Sequence, residues 1–277
     1  MATGQLAESG RRPLRLGGIP VFMYHGLTTS RKSKIPWRER KYWVLPGQFR
    51  EQLNCILQEG YQVALLREVW NPTNAPNREK PTVALTFDDG RWSDYTVVYP
   101  FLLQSGVRAE FFVNTSTIGQ QGFLGWQQIT EMHRAGMSFQ SHSHDHVDLS
   151  RLPSHGQERQ MKDSKQMLED RLGSSVDFLA APYGLISLQV VDMALRVGYR
   201  AVCSSRSWPA QPGARTLNRV IVYGHTSLRD FQRLAAGSLV AYAGRAARTA
   251  LLYLPQRVLL CFWQPQLGVT LSEDQPA

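Results

Sequence analysis

VALTFDDG, at residues 83–90, is an apolar run that ends abruptly in two acids and a glycine. The run from Val83 to Thr86 predicts a buried strand. Adjacent carboxylates at a strand end repel each other unless a cation or a proton gives them different roles. One acid could then bind a metal while the other accepts a proton. The same acids followed by Gly90 also form an ordinary turn sequence, so both interpretations stay open at this point.

Short apolar segments alternate with amphipathic segments on both sides of this stretch. In residues 46–58, for example, Phe49, Leu53 and Ile56 share one face, which predicts a helix. Repeated strand–helix units predict an α/β fold with a parallel sheet, whose functional residues lie at the carboxyl ends of the strands. We expect strands at residues 19–23, 63–65, 83–86, 109–113, 138–140, 178–180, 201–203 and 220–222. We expect further helices at residues 97–105, 125–135, 157–172, 187–197 and 228–234.

A histidine cluster, SHSHDH at residues 141–146, follows one of the expected strands. His142 and His146 are four residues apart, so one helical turn or a tight loop can aim both imidazoles at one ion. The alternative is a solvated polar loop. Together with Asp88 or Asp89, the two imidazoles form a set that leaves a coordination position open for water.

Three motifs together resemble those of the polysaccharide deacetylases of carbohydrate esterase family 4, which carry the nodulation-type deacetylase domain. They are TFDDG at residues 86–90, HSHDHVDL at residues 142–149 and FLAAPYG at residues 178–184, and the resemblance runs from about Val21 to Leu234. The element VFMYHG at residues 21–26 is similar to the branch that processes exopolysaccharide poly-N-acetylglucosamine. The fold that this resemblance implies is an incomplete or distorted (β/α) barrel of about seven parallel strands.

The resemblance also implies a metal-dependent hydrolase that removes N-acetyl groups from a sugar or polysaccharide. Asp88 is then the general base, and Asp89, His142 and His146 hold a divalent metal, most commonly zinc. The backbone N–H of Tyr183 helps to hold the oxyanion. In this chemistry the metal lowers the pKa of a water and polarises the acetamide carbonyl, and an acid protonates the leaving amine.

Two histidines are candidates for that acid. The resemblance favours His25, since in this branch an N-terminal histidine replaces the late one used elsewhere. His225 lies nearer the usual late position and is the alternative. Either one could instead be a hydrogen-bonded structural histidine.

Substrate contacts are expected from three residues. Pro182 and Tyr183 belong to the third motif. Trp126, at the start of an expected helix, either stacks on a sugar face or packs in the core.

The chain departs from the family pattern in two places. The third motif often carries an arginine where Ala180 stands, and the late Asp-containing motif has no visible counterpart at residues 203–207. Because that arginine normally orients the general base, either a different group supports Asp88 or the activity is weak. Two alternative functions stay open: a deformylase or other amidohydrolase acting on a lipid-linked sugar, and, because the arginine is missing, a carbohydrate-binding protein that has lost turnover.

The composition limits the partners and the location. The chain has 277 residues and a formal net charge of +9. A basic surface attracts nucleic acid, anionic lipid or acidic substrate, but no nucleic-acid-binding signature accompanies the charge, so we expect no nucleic acid partner. The absence of a secretory h-region and of an apolar run of spanning length, with three scattered cysteines, predicts a cytoplasmic protein.

The domain organisation predicted from these patterns has three parts. Residues 1–18 form an N-terminal tail, residues 19–236 the deacetylase domain and residues 237–277 a basic and apolar extension. Within that extension, residues 237–263 either cover the barrel or lie on the inner face of a membrane.

Overall fold

The structure, a computed structural model, describes residues 14–28, 35–37, 39–71 and 80–248. The chain divides into one unit at Met1–Tyr242 and a second at Ala243–Ala277. Most of the expected N-terminal tail and most of the expected membrane-contact segment at residues 237–263 lie outside the described residues. The three-part division of the chain stays a prediction. No helix of the described part is both long enough and apolar enough to cross a bilayer.

Strands and helices alternate through the first unit. The strands are β1 (Val21–Tyr24), β2 (Gly26–Leu27), β3 (Trp43–Val44), β4 (Gln62–Val63), β5 (Thr82–Asp88), β6 (Glu110–Val113), β7 (Ser138–Ser141), β8 (Phe178–Ala180), β9 (Ala201–Cys203), β10 (Thr216–Leu217) and β11 (Val220–Ile221). The α-helices are α1 (Pro46–Gln58), α2 (Leu66–Trp70), α3 (Tyr99–Gln104), α4 (Trp126–Arg134), α5 (Ser154–Leu172), α6 (Leu188–Val197) and α7 (Leu228–Ala235). A π-helical turn at Asp94–Val98 leads into α3.

Nine of these strands form one parallel sheet. Its order is β10-β9-β8-β7-β6-β5-β1-β11, with β4 paired to the start of β5. Within the described residues the path ends at β10 and β11 without closing, so the sheet is an incomplete barrel, as expected. A separate pair, β2 and β3, forms a small parallel sheet beside it.

Alternation along β5 explains how the barrel is filled. Val83, Leu85 and Phe87 belong to the larger apolar cluster, which also contains residues of the surrounding helices. Ala84 belongs to a second cluster that is rich in small side chains and includes Ala180 of β8. Because successive side chains point to opposite faces, Asp88 shares the inner face with Ala84 and is carried to the end of the barrel interior.

The eight expected strands correspond to β1, β4, β5, β6, β7, β8, β9 and β11. The sheet has two more strands than the resemblance implied, and both β4 and β10 are only two residues long. A strand of two residues shows no periodicity, and β2, β3 and β10 were not predicted. The equally short β4 and β11 were predicted because each lies in a continuous apolar run, at residues 63–65 and 220–222. Helix α5 begins three residues before the expected start, directly after Pro153, which is extended.

Candidate active site

Asp89, His142 and His146 lie together at the carboxyl ends of β5 and β7. The Asp89 Oδ1 atom is 3.5 Å from His142 Nε2 and 3.5 Å from His146 Nε2. One potential ligand atom from each of the three residues lies within 4.8 Å of the others. The structure therefore brings together the three residues expected to hold a metal.

Local backbone geometry aims these side chains. Asp89 has a φ of 79° and Gly90 a φ of 64°, so the chain turns sharply as β5 ends. A Cβ at residue 90 would approach the Val113 side chain to 2.9 Å, which is why glycine is needed there. Of the two geometries considered for the histidine pair, the structure has the tight loop, in which His146 has a φ of 53°.

The three donor atoms fit a divalent cation such as zinc. Metal–ligand bonds of about 2.0–2.2 Å in a tetrahedral site place neighbouring ligand atoms about 3.4 Å apart, close to the distances at Asp89 Oδ1. His142 Nδ1 lies 2.7 Å from the carbonyl oxygen of Ala180, so it donates there and directs Nε2 toward Asp89. Burial and the nearby His142 lower the pKa of His146 to about 4, which keeps its imidazole in the neutral, ligating form.

Asp88 is buried next to this group and is held by Arg219. The Arg219 guanidinium donates Nη1–H to Asp88 Oδ1 at 2.7 Å and Nη2–H to Oδ2 at 2.8 Å. Both side chains are almost fully buried. Arg219 also donates from Nη1 to Thr86 Oγ1 at 3.3 Å, and its guanidinium lies 4.9 Å from the centre of the Phe112 ring.

This ion pair decides the charge of Asp88. Burial by itself raises the pKa of the carboxyl, but the charge and the hydrogen bonds of Arg219 act against burial, and the pKa lies below its usual value. Asp88 is therefore ionised at neutral pH, as a general base must be before it accepts a proton.

Arg219 is the functional residue that the sequence reasoning missed. It stands directly before β11, in the apolar surroundings of LNRVIV at residues 217–222. A single arginine in such an apolar run could have indicated a buried ion pair, because arginine is seldom buried without a partner. The guanidinium absent at Ala180 is thus supplied from the far end of the sheet, so a different group does support Asp88.

His25 and His225 occupy different positions relative to the two acids. His25 follows β1, and its electrostatic neighbours include Asp89 and Asp88. Burial lowers the pKa of His25, and these two carboxylates oppose the shift. Its Nδ1 atom is buried and has no hydrogen-bond partner among the described residues.

His225 is exposed and stacks on Tyr223, with ring centres 5.2 Å apart. Tyr223 in turn contacts Tyr42, whose ring lies 4.8 Å from His25. Two tyrosine rings therefore separate the alternative acid from the favoured one.

Of the residues expected to contact substrate, Tyr183 lies beside the histidine pair, whereas Trp126 does not contact the site. Tyr183 has a φ of 60° and is 66% exposed. The centre of its ring lies 4.8 Å from the centre of the His146 ring. Pro182 is buried directly before it. Trp126 begins α4 and packs against the core under the Arg171 guanidinium, 5.3 Å from the ring centre. None of the contacts described for Trp126 involves the acids and histidines of the site.

The family follows from comparison with known proteins. Residues 75–202 match the family model for polysaccharide deacetylase. Residues 75–202 are therefore a polysaccharide deacetylase domain. The family resemblance and the deacetylase class expected from the three motifs are confirmed.

Relatives of this deacetylase domain include solved and curated proteins. The Streptococcus pyogenes deacetylase PplD, solved in complex with acetate, has a TM-score of 0.73 and 29% identity, covering 81% of this chain and 99% of that one. YxkH of Bacillus subtilis (strain 168) is 27% identical over 207 residues, 74% of this chain and 71% of that protein. A poly-beta-1,6-N-acetyl-D-glucosamine N-deacetylase of Staphylococcus aureus (strain MSSA476) is 24% identical over 178 residues. That match covers 58% of this chain and 60% of the staphylococcal protein, so the chain matches only part of it.

Proposed function

We propose that this protein is a divalent-metal-dependent hydrolase that removes the acetyl group from an N-acetylated amino sugar within an oligosaccharide or polysaccharide. One observation carries the proposal: Asp89 Oδ1 lies 3.5 Å from each of two imidazoles while the adjacent Asp88 is ionised and paired with Arg219. The site thus offers three ligand atoms and a separate base.

The residues divide the reaction among them. Asp89, His142 and His146 would hold the cation, with zinc the first candidate for this donor set. Such a cation supplies Lewis acidity, which polarises the acetamide carbonyl and lowers the pKa of the attacking water. Asp88 accepts the proton of that water. Arg219 keeps the Asp88 carboxylate oriented and ionised through both of its oxygens.

The later steps use groups on neighbouring strands. His25 delivers a proton to the leaving amine as the C–N bond breaks, which releases acetate and a free amino sugar. The backbone N–H of Tyr183 assists at the developing oxyanion. Proximity supports His25 over His225 in this role, since the charges of both carboxylates act on the pKa of His25.

The substrate class is inferred from the relatives. The staphylococcal relative is named for poly-beta-1,6-N-acetyl-D-glucosamine. We therefore take an N-acetylglucosamine oligomer as the first substrate. The missing arginine motivated the alternative of a binding protein without turnover, and the pairing of Arg219 with Asp88 supports turnover instead.

Acetate release from N-acetylglucosamine oligomers tests the proposal. The purified protein should release acetate, chelation should abolish the release, and added zinc or cobalt should restore it. Release that persists in the chelated protein would contradict the metal mechanism. If acetylated oligomers stay intact while a formylated or lipid-linked sugar is hydrolysed, the amidohydrolase alternative is correct.

A further inference from the structure

The two oxygens of Asp89 have different neighbours. Oδ1 faces both imidazoles of the site at 3.5 Å. Oδ2 accepts hydrogen bonds from the guanidinium of Arg91, at 3.1 Å from Nη2 and 3.3 Å from Nε. Oδ1 therefore faces the candidate cation site, whereas Oδ2 is already hydrogen-bonded to a positively charged guanidinium.

Arg91 is held firmly in this position. Its backbone forms an antiparallel bridge with Phe123, and its guanidinium lies 5.2 Å from the Phe123 ring centre and 5.7 Å from that of Trp43. Nη2 also lies 3.4 Å from the Glu39 carboxylate. Two rings and a second acid thus orient the guanidinium.

A carboxylate can bind a cation through one oxygen or through both. Binding through both would bring the cation toward Oδ2 and so toward the guanidinium, which carries the same sign of charge. The lone pairs of Oδ2 are also engaged by two N–H donors. Both effects favour ligation through Oδ1 alone.

We propose that Arg91 is a positioning residue that restricts Asp89 to one-oxygen ligation of the catalytic cation. This inference rests on the proposed function. With one oxygen from Asp89 and one nitrogen from each histidine as the protein ligands, a bound cation would keep a position open for water, whose proton Asp88 would accept. With both oxygens bound, that position would be partly filled, and the Lewis acidity available to the acetamide would fall.

Cobalt substitution tests this role without relying on turnover. The visible absorption of Co²⁺ is intense in a four-coordinate site and weakens as the coordination number rises. We expect the wild type to show the intense bands and Arg91→Met to bind one Co²⁺ with clearly weaker bands. Arg91→Lys, which retains a positive charge, should give an intermediate intensity.

Arg108→Met is the matched control. Arg108 also forms an ion pair with a carboxylate, Glu68, at 2.9 Å, and its side chain is partly exposed like that of Arg91. Its cobalt spectrum should equal that of the wild type. Thermal unfolding of the metal-free proteins shows whether each variant is folded.

The outcomes separate the inference from the function on which it rests. Identical intense spectra for the wild type and a folded Arg91→Met variant would overturn the role of Arg91 alone. A wild type that binds no Co²⁺ would overturn both the metal site and this inference. Weaker bands in Arg91→Met with an unchanged Arg108→Met spectrum support it.

Discussion

Arg219 and Asp88 form a two-pronged ion pair inside the barrel although they stand 131 positions apart in the chain. Asp88 ends β5 and Arg219 directly precedes β11, and β1 lies between these two strands in the sheet. A fork of two parallel N–H···O bonds fixes both the position and the orientation of the carboxylate. The pair therefore supplies to the Asp88 carboxylate the guanidinium that the third motif lacks at Ala180.

Changing Arg219 should reduce turnover without removing the metal. Lysine keeps the charge but cannot donate the two parallel bonds, so Arg219→Lys should lower kcat about 100-fold through a misplaced base. Metal content, measured by mass spectrometry, should stay at the wild-type level. Arg200→Lys, at a partly exposed ion pair with Asp177, is the control. A wild-type kcat in Arg219→Lys would contradict the role of the pair.

Arg219→Met tests the stability of the same pair. It leaves the buried Asp88 carboxylate without its partner, which should lower the free energy of unfolding by about 3–5 kcal/mol. Urea unfolding of the metal-free protein measures the loss. A change of less than about 1 kcal/mol, the usual value for an exposed pair, would show that Asp88 is solvated rather than buried.

The neighbouring acids should respond differently to the same substitution. Asp88→Asn should bind the metal normally and lose about 10²–10⁴-fold in kcat, because the base is absent. Asp89→Asn should lose metal, since an amide is a weaker ligand than a carboxylate. Asp163→Asn, at an exposed position of α5, is the matched control. Equal metal loss in both site variants would contradict the division of roles.

The two candidate acids can be separated by one pair of variants. His25→Gln should lower kcat by about 10²–10⁴-fold, whereas His225→Gln should change it less than about twofold. In the wild type, kcat/KM should fall as pH rises through the pKa of the acid, which burial of His25 places below the usual histidine value. The reverse ranking of the variants would assign the acid to His225.

Glu110 should make the stability of the fold depend on pH. Its carboxyl is buried in β6, Oε1 accepts the N–H of Leu66 at 2.9 Å, and burial raises its pKa above the usual 4.5. Between 4.5 and the raised pKa the folded state binds more protons than the unfolded state, so stability falls as pH rises. Glu110→Gln cannot titrate, so its advantage in unfolding free energy over the wild type should grow through this range and then level off. An advantage that is the same from about pH 4 to about pH 8 would contradict this assignment.

Local patterns in the sequence determined most of the fold, and they also identified the two acids and the two histidines of the site. VALTFDDG predicted both the buried strand and the acids at its end, and the spacing of His142 and His146 predicted a shared target. These predictions succeed because strand periodicity, a turn after a strand and a four-residue spacing are all properties of a few consecutive residues. The carboxyl-end rule then placed both motifs at one edge of the sheet.

Only the tertiary structure decided which distant residues complete the site. Arg219 reaches Asp88 because β11 pairs with β1 and β1 with β5, an order of strands that no local pattern encodes. In the same way, a backbone bridge to Phe123 holds Arg91 where its guanidinium donates to Oδ2 of Asp89. The sequence determined which chemical groups are available, whereas the order of the strands set the distances between them, and the charge of a buried carboxylate depends on those distances.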